Sequence, residues 1–147
     1  MRISFLGAGF ALAAGLTITA SVGCGLSPIT PPRIEAAIAT TFSNLVELQV
    51  TWLGLPAMTA SEFAVKASCS RVLGGNIGSG DWVCTLVWLS PDRQTLRDTY
   101  DLFVGTDGCY SAAAEGSNLG GPTLKTGDGR EVRNLLFAFE GCFDTTS

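Results

Sequence analysis

The sequence contains no histidine. Histidine is the one side chain whose ordinary pKa lies between pH 5 and 8, so the general acid–base catalyst used most widely near neutral pH is absent. The Ser-His-Asp and Cys-His classes of nucleophilic catalysis are excluded with it. Lysine is almost as scarce, with only Lys66 and Lys125 against seven arginines. Neither lysine has a serine three residues before it, so the S-x-x-K arrangement is missing. No run of basic residues occurs, and the formal charge of the 147-residue chain is −4. A chain of that sign has no long-range attraction to nucleic acid, and no nucleic-acid partner is expected. There is no C-x-x-C pair to suggest a redox centre, and no internal repeat.

Charge is also absent from Ile3 to Val22, ISFLGAGFALAAGLTITASV, which follows the single cation Arg2. A run of that length could span a bilayer. Three glycines inside it, each costing about 1 kcal/mol relative to alanine, together with its polar far end, suit a cleaved export signal better. The run closes on Ser21-Val22-Gly23-Cys24. These four residues resemble the lipobox of bacterial lipoproteins, with serine where leucine is usual. The resemblance implies cleavage before Cys24 and a diacylglyceryl group on its sulfur. Cleavage by ordinary signal peptidase after Gly23 or Ala20, or retention as an uncleaved anchor, are the other outcomes. With residues 1–23 removed, the mature chain holds 8 Lys plus Arg against 13 Asp plus Glu.

Cysteine parity agrees with lipidation. Five cysteines are an odd number for an exported chain. If Cys24 carries lipid, then Cys69, Cys84, Cys109 and Cys142 can close as two disulfides. Residues 24–32 include GLSPITPP, whose three prolines favour an extended tether. A Pro-rich recognition segment is the less favoured reading of the same residues.

A single domain is expected over residues 33–147. Ile34, Ile38, Phe42, Leu45 and Leu48 or Gln49 recur at helical spacing; Thr30 and Pro31 suit its start, and Gly54 and Pro56 its end. Beyond Pro56 the period becomes two. Phe63, Val65, Ala67 and Cys69 read as one strand. Trp82 to Leu89 is apolar on both faces and should lie centrally in the sheet. A third strand begins at Tyr100. Asp107-Gly108 signals a two-residue hairpin turn leading into Cys109–Ala114. Asp128-Gly129 marks another turn before a long aromatic strand from Leu135 to Phe143. The fold expected is α+β: one long N-terminal helix on a curved antiparallel sheet of about four or five strands, a plan shared by cystatin-like and NTF2-like rolls.

Cys69 and Cys84 are symmetric about the Asn76–Ile77 bond, so a hairpin centred there sets them opposite one another. Pairing of the strands that carry Cys109 and Cys142 would join those two. Four cysteines allow three connectivities, and 69–84 with 109–142 is the one this layout favours. Ala67 to Ala113, with Gly-Asp-Trp-x-Cys-Thr at residues 80–85 and Asp-Gly-Cys-Tyr at 107–110, resembles small secreted or lipid-anchored actinobacterial proteins of unassigned activity. That resemblance implies no substrate.

Candidate chemistry is sparse. Residues 74–80, GGNIGSG, could aim amides at phosphate, but they precede a strand and no lysine follows, so a hairpin loop is expected. Asp92, Asp98, Asp101, Asp107 and Asp128 could offer oxygens to calcium, although their spacing is not that of an EF-hand, and turn or surface roles suffice. Glu115, Glu131 and Glu140 are the late glutamates from which a hydrolase pair could be drawn. Trp52, Trp82, Trp88, Phe103, Tyr110, Phe137, Phe139 and Phe143 form either the core or the lining of an apolar pocket. No catalytic, cofactor or metal residue is assigned. The reading is a non-catalytic binding or interaction module held on the outer face of the bacterial membrane by lipid on Cys24. Its partner would be an envelope protein or a small apolar ligand. The alternatives are a carboxylate-based envelope hydrolase and a carrier of an apolar ligand.

Overall fold

The computed structural model describes residues 27–116 and 118–145. The expected export signal and the lipid site at Cys24 lie outside them. Helix α1 spans Pro31–Trp52. Thr30 takes the extended N-cap conformation but makes no side-chain cap bond. The reason is local: Pro32 has no amide to offer, and the Arg33 amide already donates to the Thr30 carbonyl. At the other end, Gly54 adopts positive φ, its amide donates to Thr51 and that of Leu55 to Val50. This is the Schellman arrangement expected of a helix closed by glycine.

The helix buries Ile34, Ile38, Phe42, Val46, Gln49 and Val50. Four-residue steps rotate the face by about 40° each, so the stripe drifts past Leu45 and leaves Leu48 exposed. The packed region also reaches further back than residue 33. Ile29 is buried, its carbonyl accepts the Gly78 amide, and the Ser27 amide donates to Thr145. The last two prolines of the expected tether are the first two helical residues.

Among the described residues seven strands follow: β1 Lys66–Arg71, β2 Gly80–Leu89, β3 Thr95–Val104, β4 Cys109–Ala114, β5 Thr123–Lys125, β6 Glu131–Arg133 and β7 Ala138–Cys142. Five form an open antiparallel sheet in the order β1-β2-β3-β4-β7, and β5 with β6 makes a separate ribbon. The α+β plan is therefore as expected, with the sheet open rather than closed into a barrel. Strand β2 is interior, although β3 is the middle strand.

Two strands start later than their patterns suggest. Phe63 belongs to a 3-10 turn, Ala60–Phe63, closed by a Thr59–Glu62 capping box, and Ala64 then takes positive φ. Phe63 fills the core from that turn, so its place in the alternation does not come from a strand. Leu135 to Phe137 also form a turn, pinned by buried Asn134. Its side chain accepts from the Leu136 amide and donates to the Leu119 and Gly121 carbonyls.

The turn at Asp107-Gly108 differs in type from the expectation. In residues 105–109 the Gly108 amide donates to Gly105, the Gly105 amide to Cys109, and only Gly108 has positive φ. Residues 126–130 repeat this pattern around Gly129. Both are type I turns followed by a left-handed residue, the three-residue hairpin, and not the two-residue turn. Residues 90–94 form a third copy, with Arg93 in the left-handed position.

The core lies between α1 and one face of the sheet. Phe42 is its hub, with ring centroids 4.8 Å from Trp88, 5.8 Å from Tyr100 and 6.0 Å from Phe139. The helix also grips backbone on the sheet side. Glu35 accepts the Cys69 amide at 2.9 Å, Glu47 that of Ala60 at 2.9 Å, and Gln49 that of Leu135 at 2.6 Å. The Cys69 amide belongs to edge strand β1, where it would otherwise lack a partner.

Candidate functional site on the open face of the sheet

Alternation along each strand divides the sheet into two unlike faces. Trp82, Cys84, Leu86, Tyr100, Leu102, Tyr110, Ala112 and Phe139 turn to the helix side and are buried. The opposite face is open. Register places Asp81, Phe103, Ser111 and Glu140 side by side across β2, β3, β4 and β7. These residues, with Val72, Asp101 and Arg133, line a groove of about 820 Å³ that is open to solvent. Phe103 is 60% exposed, because its neighbours are too small or too polar to cover it. An exposed aromatic in such a groove is the strongest sign of recognition on this molecule.

The groove is acidic, with Asp81, Asp101 and Glu140 against Arg133. Glu115, one residue past the end of β4, is in hydrogen-bond contact with Asp101. The charge of Asp101 raises the Glu115 carboxyl above the ordinary range, helped by burial, by that hydrogen bond and by the charge of Asp98. Glycoside hydrolysis needs carboxyls about 5 Å or more apart, so these two are too close to flank a scissile bond. The three glutamates are not gathered into one site. Glu131 is on the ribbon opposite Lys125, while Glu140 lies opposite Ser111.

The aspartates have local partners. Asp92 accepts the Ser90 hydroxyl, Asp107 the Cys109 amide at 3.1 Å, and Asp128 the Thr126 hydroxyl and the Arg130 guanidinium. Each sits in one of the three matching turns. Asp98 accepts the Thr99 amide at 2.8 Å. Burial, with Asp98 adding to it, pushes the Tyr100 hydroxyl far above its ordinary range, and that hydroxyl donates to the Leu136 carbonyl. Tyr100 is thus a structural donor and stays protonated.

The aromatics divide between two roles. Trp82, Trp88, Tyr110 and Phe139 are core, and rings around Phe42 fill the space where an apolar ligand would lie between helix and sheet. Trp52 and Phe103 are exposed. The period-two pattern already set Phe103 out of phase with Tyr100, Leu102 and Val104, a signal that could have found it.

Both disulfides form as the hairpin layout favoured, Cys69–Cys84 and Cys109–Cys142. The glycine-rich loop is not a phosphate cradle. Its carbonyls converge on the Arg71 guanidinium, which donates to Gly74 at 3.2 Å, Ile77 at 2.9 Å and Ser79 at 2.5 Å. Trp82 Nε1 donates to Gly78 at 3.1 Å. Arg71 carried no motif, because a lone arginine beside glycines has no spacing signature. No helix among the described residues is long and apolar enough to cross a membrane, and two disulfides are compatible with an exported chain. Compared with protein-family models, curated proteins and solved structures, the chain matches none.

Proposed function

We propose that this protein is an exported interaction module, anchored by lipid on Cys24 to the outer face of the bacterial membrane, that presents the open sheet face to an envelope protein. The observation that carries the reading is Phe103, 60% exposed at the middle of a row whose ends are Asp81 and Glu140. A partner segment offering one apolar side chain and flanking cations would match that row. An enclosed site would suit a small apolar ligand better, and this groove is open. The uncharged leader, the odd cysteine at residue 24 and the likeness to small lipid-anchored actinobacterial proteins support the setting.

Two measurements test it. Intact mass of protein isolated from membranes should show acyl mass on a chain beginning at Cys24, and Cys24→Ser should move the protein to the soluble fraction. A photo-crosslinking residue at Ser111, beside Phe103, should join the domain to one envelope protein, and Phe103→Asp should abolish that adduct. An adduct unaffected by Phe103→Asp would refute the groove as the binding surface, and membrane retention of Cys24→Ser would refute the lipid anchor.

A further inference from the structure

The loop between β1 and β2, residues 72–79, carries no charged side chain. It nevertheless presents Leu73 at 79% exposure, Ile77 at 60% and Val72 at 53%. Leu73 and Ile77 are the most exposed large aliphatic residues among those described. Loop tips are normally polar, and apolar residues on a well-formed tip call for an apolar partner.

The tip is built, not slack. Arg71 and Trp82 take up the carbonyls of Gly74, Ile77, Gly78 and Ser79. Gly74 and Gly80 permit this close wrap, since a Cβ at either would stand 3.2–3.4 Å from the guanidinium nitrogens. The consequence is a loop whose polar backbone is satisfied on its inner side while its aliphatic side chains point away. Backbone carbonyls that already have donors lose little on entering a poorly hydrating environment.

The position of the tip identifies that environment. The Gly78 amide donates to the Ile29 carbonyl at 2.8 Å, so the loop touches the chain where it enters the domain. Cys24 is five residues before Ile29. Even fully extended, five residues reach no more than about 18 Å. A bilayer holding the acyl chains of Cys24 therefore lies within that distance of Ile29, where the base of the loop touches the chain. The other exposed aliphatic residues lie far from it. Leu96 pairs with Trp88, eight residues along β2 from Gly80, and Leu55 follows the distant end of α1.

We propose that Leu73 and Ile77 form an apolar tip that seats in the outer surface of the lipid bilayer to which Cys24 is anchored. The inference rests on the lipid-anchor reading above. It gives the domain a fixed orientation, with the β1–β2 loop down and the helix C-terminus outward. The tip is uncharged and the chain acidic, so seating relies on aliphatic insertion and on the tether's proximity, not on anionic headgroups.

The test uses the full chain expressed in a bacterial host and exported to its membrane. A benzophenone-bearing amino acid replaces Leu73 in one variant and Leu55 in another. After illumination of intact membranes, phospholipid adducts are counted by mass spectrometry. Position 73 should give about tenfold more lipid adduct than position 55, as expected for a side chain held in the interface. Ile77→Asp in the position-73 variant should reduce that yield severalfold while the protein remains membrane-bound. If the protein is membrane-bound but position 73 yields a protein adduct, or no more lipid than position 55, the tip proposal fails and the anchor stands. If Cys24 carries no acyl group and the protein is soluble, the anchor reading fails and the tip proposal falls with it.

Discussion

The two disulfides use the same device on opposite faces of one sheet. Each joins directly opposed residues of neighbouring antiparallel strands, Cys69 with Cys84 and Cys109 with Cys142. The first lies under the helix, with Cys84 fully buried and Cys69 nearly so. The second lies on the open face, where Cys142 is exposed. On the covered face the bridge is one part of a core that hydrophobic packing also holds. On the open face it holds edge strand β7, which has β4 as its only neighbour in the sheet, across the intervening ribbon. One face is thus organised by burial, whereas the other is left uncovered and held by a covalent bond.

Removing the bridges tests that contrast and should give the largest effects. By loop closure alone, a separation of 15 residues corresponds to about 3 kcal/mol and one of 33 to about 3.7 kcal/mol. Cys69→Ala with Cys84→Ala also loses buried packing, so its cost in urea unfolding should rise to about 4–5 kcal/mol. Cys109→Ala with Cys142→Ala should cost about 3–4 kcal/mol. Graded reductant should open the pairs in the reverse order, because thiolate attack needs access and the 109–142 sulfurs are nearer solvent. Peptide mapping that finds 69–84 reduced first would break the comparison of faces.

A smaller effect is expected at Gly141, on the covered side of β7. Tyr110 stands directly opposite, and its hydroxyl donates to Thr41 on the helix at 2.9 Å or accepts from it. A Cβ on Gly141 would lie within 3.0 Å of three atoms of the tyrosine ring and hydroxyl. Gly141→Ala should therefore push Tyr110 off the helix and cost about 1–3 kcal/mol. Gly121→Ala, with open space around its Cβ, is the control and should cost far less. Equal losses at both positions would show that Tyr110 can yield freely.

The turns that join the strands allow a sharper comparison still. The hairpins at residues 105–109 and 126–130 place glycine in the left-handed position, and that at 90–94 places Arg93 there, at φ 65°. A left-handed conformation costs a non-glycine residue about 1–2 kcal/mol. The compensating Arg93–Glu62 ion pair is 3.5 Å long and exposed on both sides, hence weak. Arg93→Gly should stabilise the protein by about 0.5–1 kcal/mol in the same urea assay. A loss of stability would mean that the ion pair or the arginine stem contributes more than its exposure suggests.

Much of this was legible in the sequence, and the gaps have physical causes. The hairpin of residues 69–84 followed from symmetry about one bond, and β2 from apolar residues on both of its faces. The turn sites were legible but their type was not. Asp-Gly serves two hairpin geometries, and the Thr126 hydroxyl that reaches Asp128 lies outside the dipeptide. The turn before β7 depends on Asn134 reaching the carbonyls of Leu119 and Gly121, a long-range contact with no local pattern. On the candidate site, spacing set Phe103 on the face opposite Tyr100, Leu102 and Val104 but could not show that no element would cover that face. That outcome is set by the helix stripe and the sheet together.

The smallest effect concerns the charges of the open face. Glu115 is raised above the ordinary carboxyl range first by the charge of Asp101, then by burial, by the hydrogen bond to Asp101 and by the charge of Asp98. Folding therefore favours its protonated form. That contribution is complete below the unfolded pKa and is lost as pH rises through the folded one. Asp128, lowered first by the Thr126 hydroxyl and then by Arg130, behaves oppositely, as does Glu62 beside Thr59. Their contributions are present above the unfolded pKa and fade as pH falls through the folded value. Glu115→Gln removes only the first trend. Its urea midpoint should exceed that of the parent at neutral pH, with the difference closing as the solution is acidified to below the ordinary glutamate range. An offset independent of pH would mean that Asp101 and Glu115 do not repel, and the open face would then be free of the charge conflict that sets it apart from the packed one.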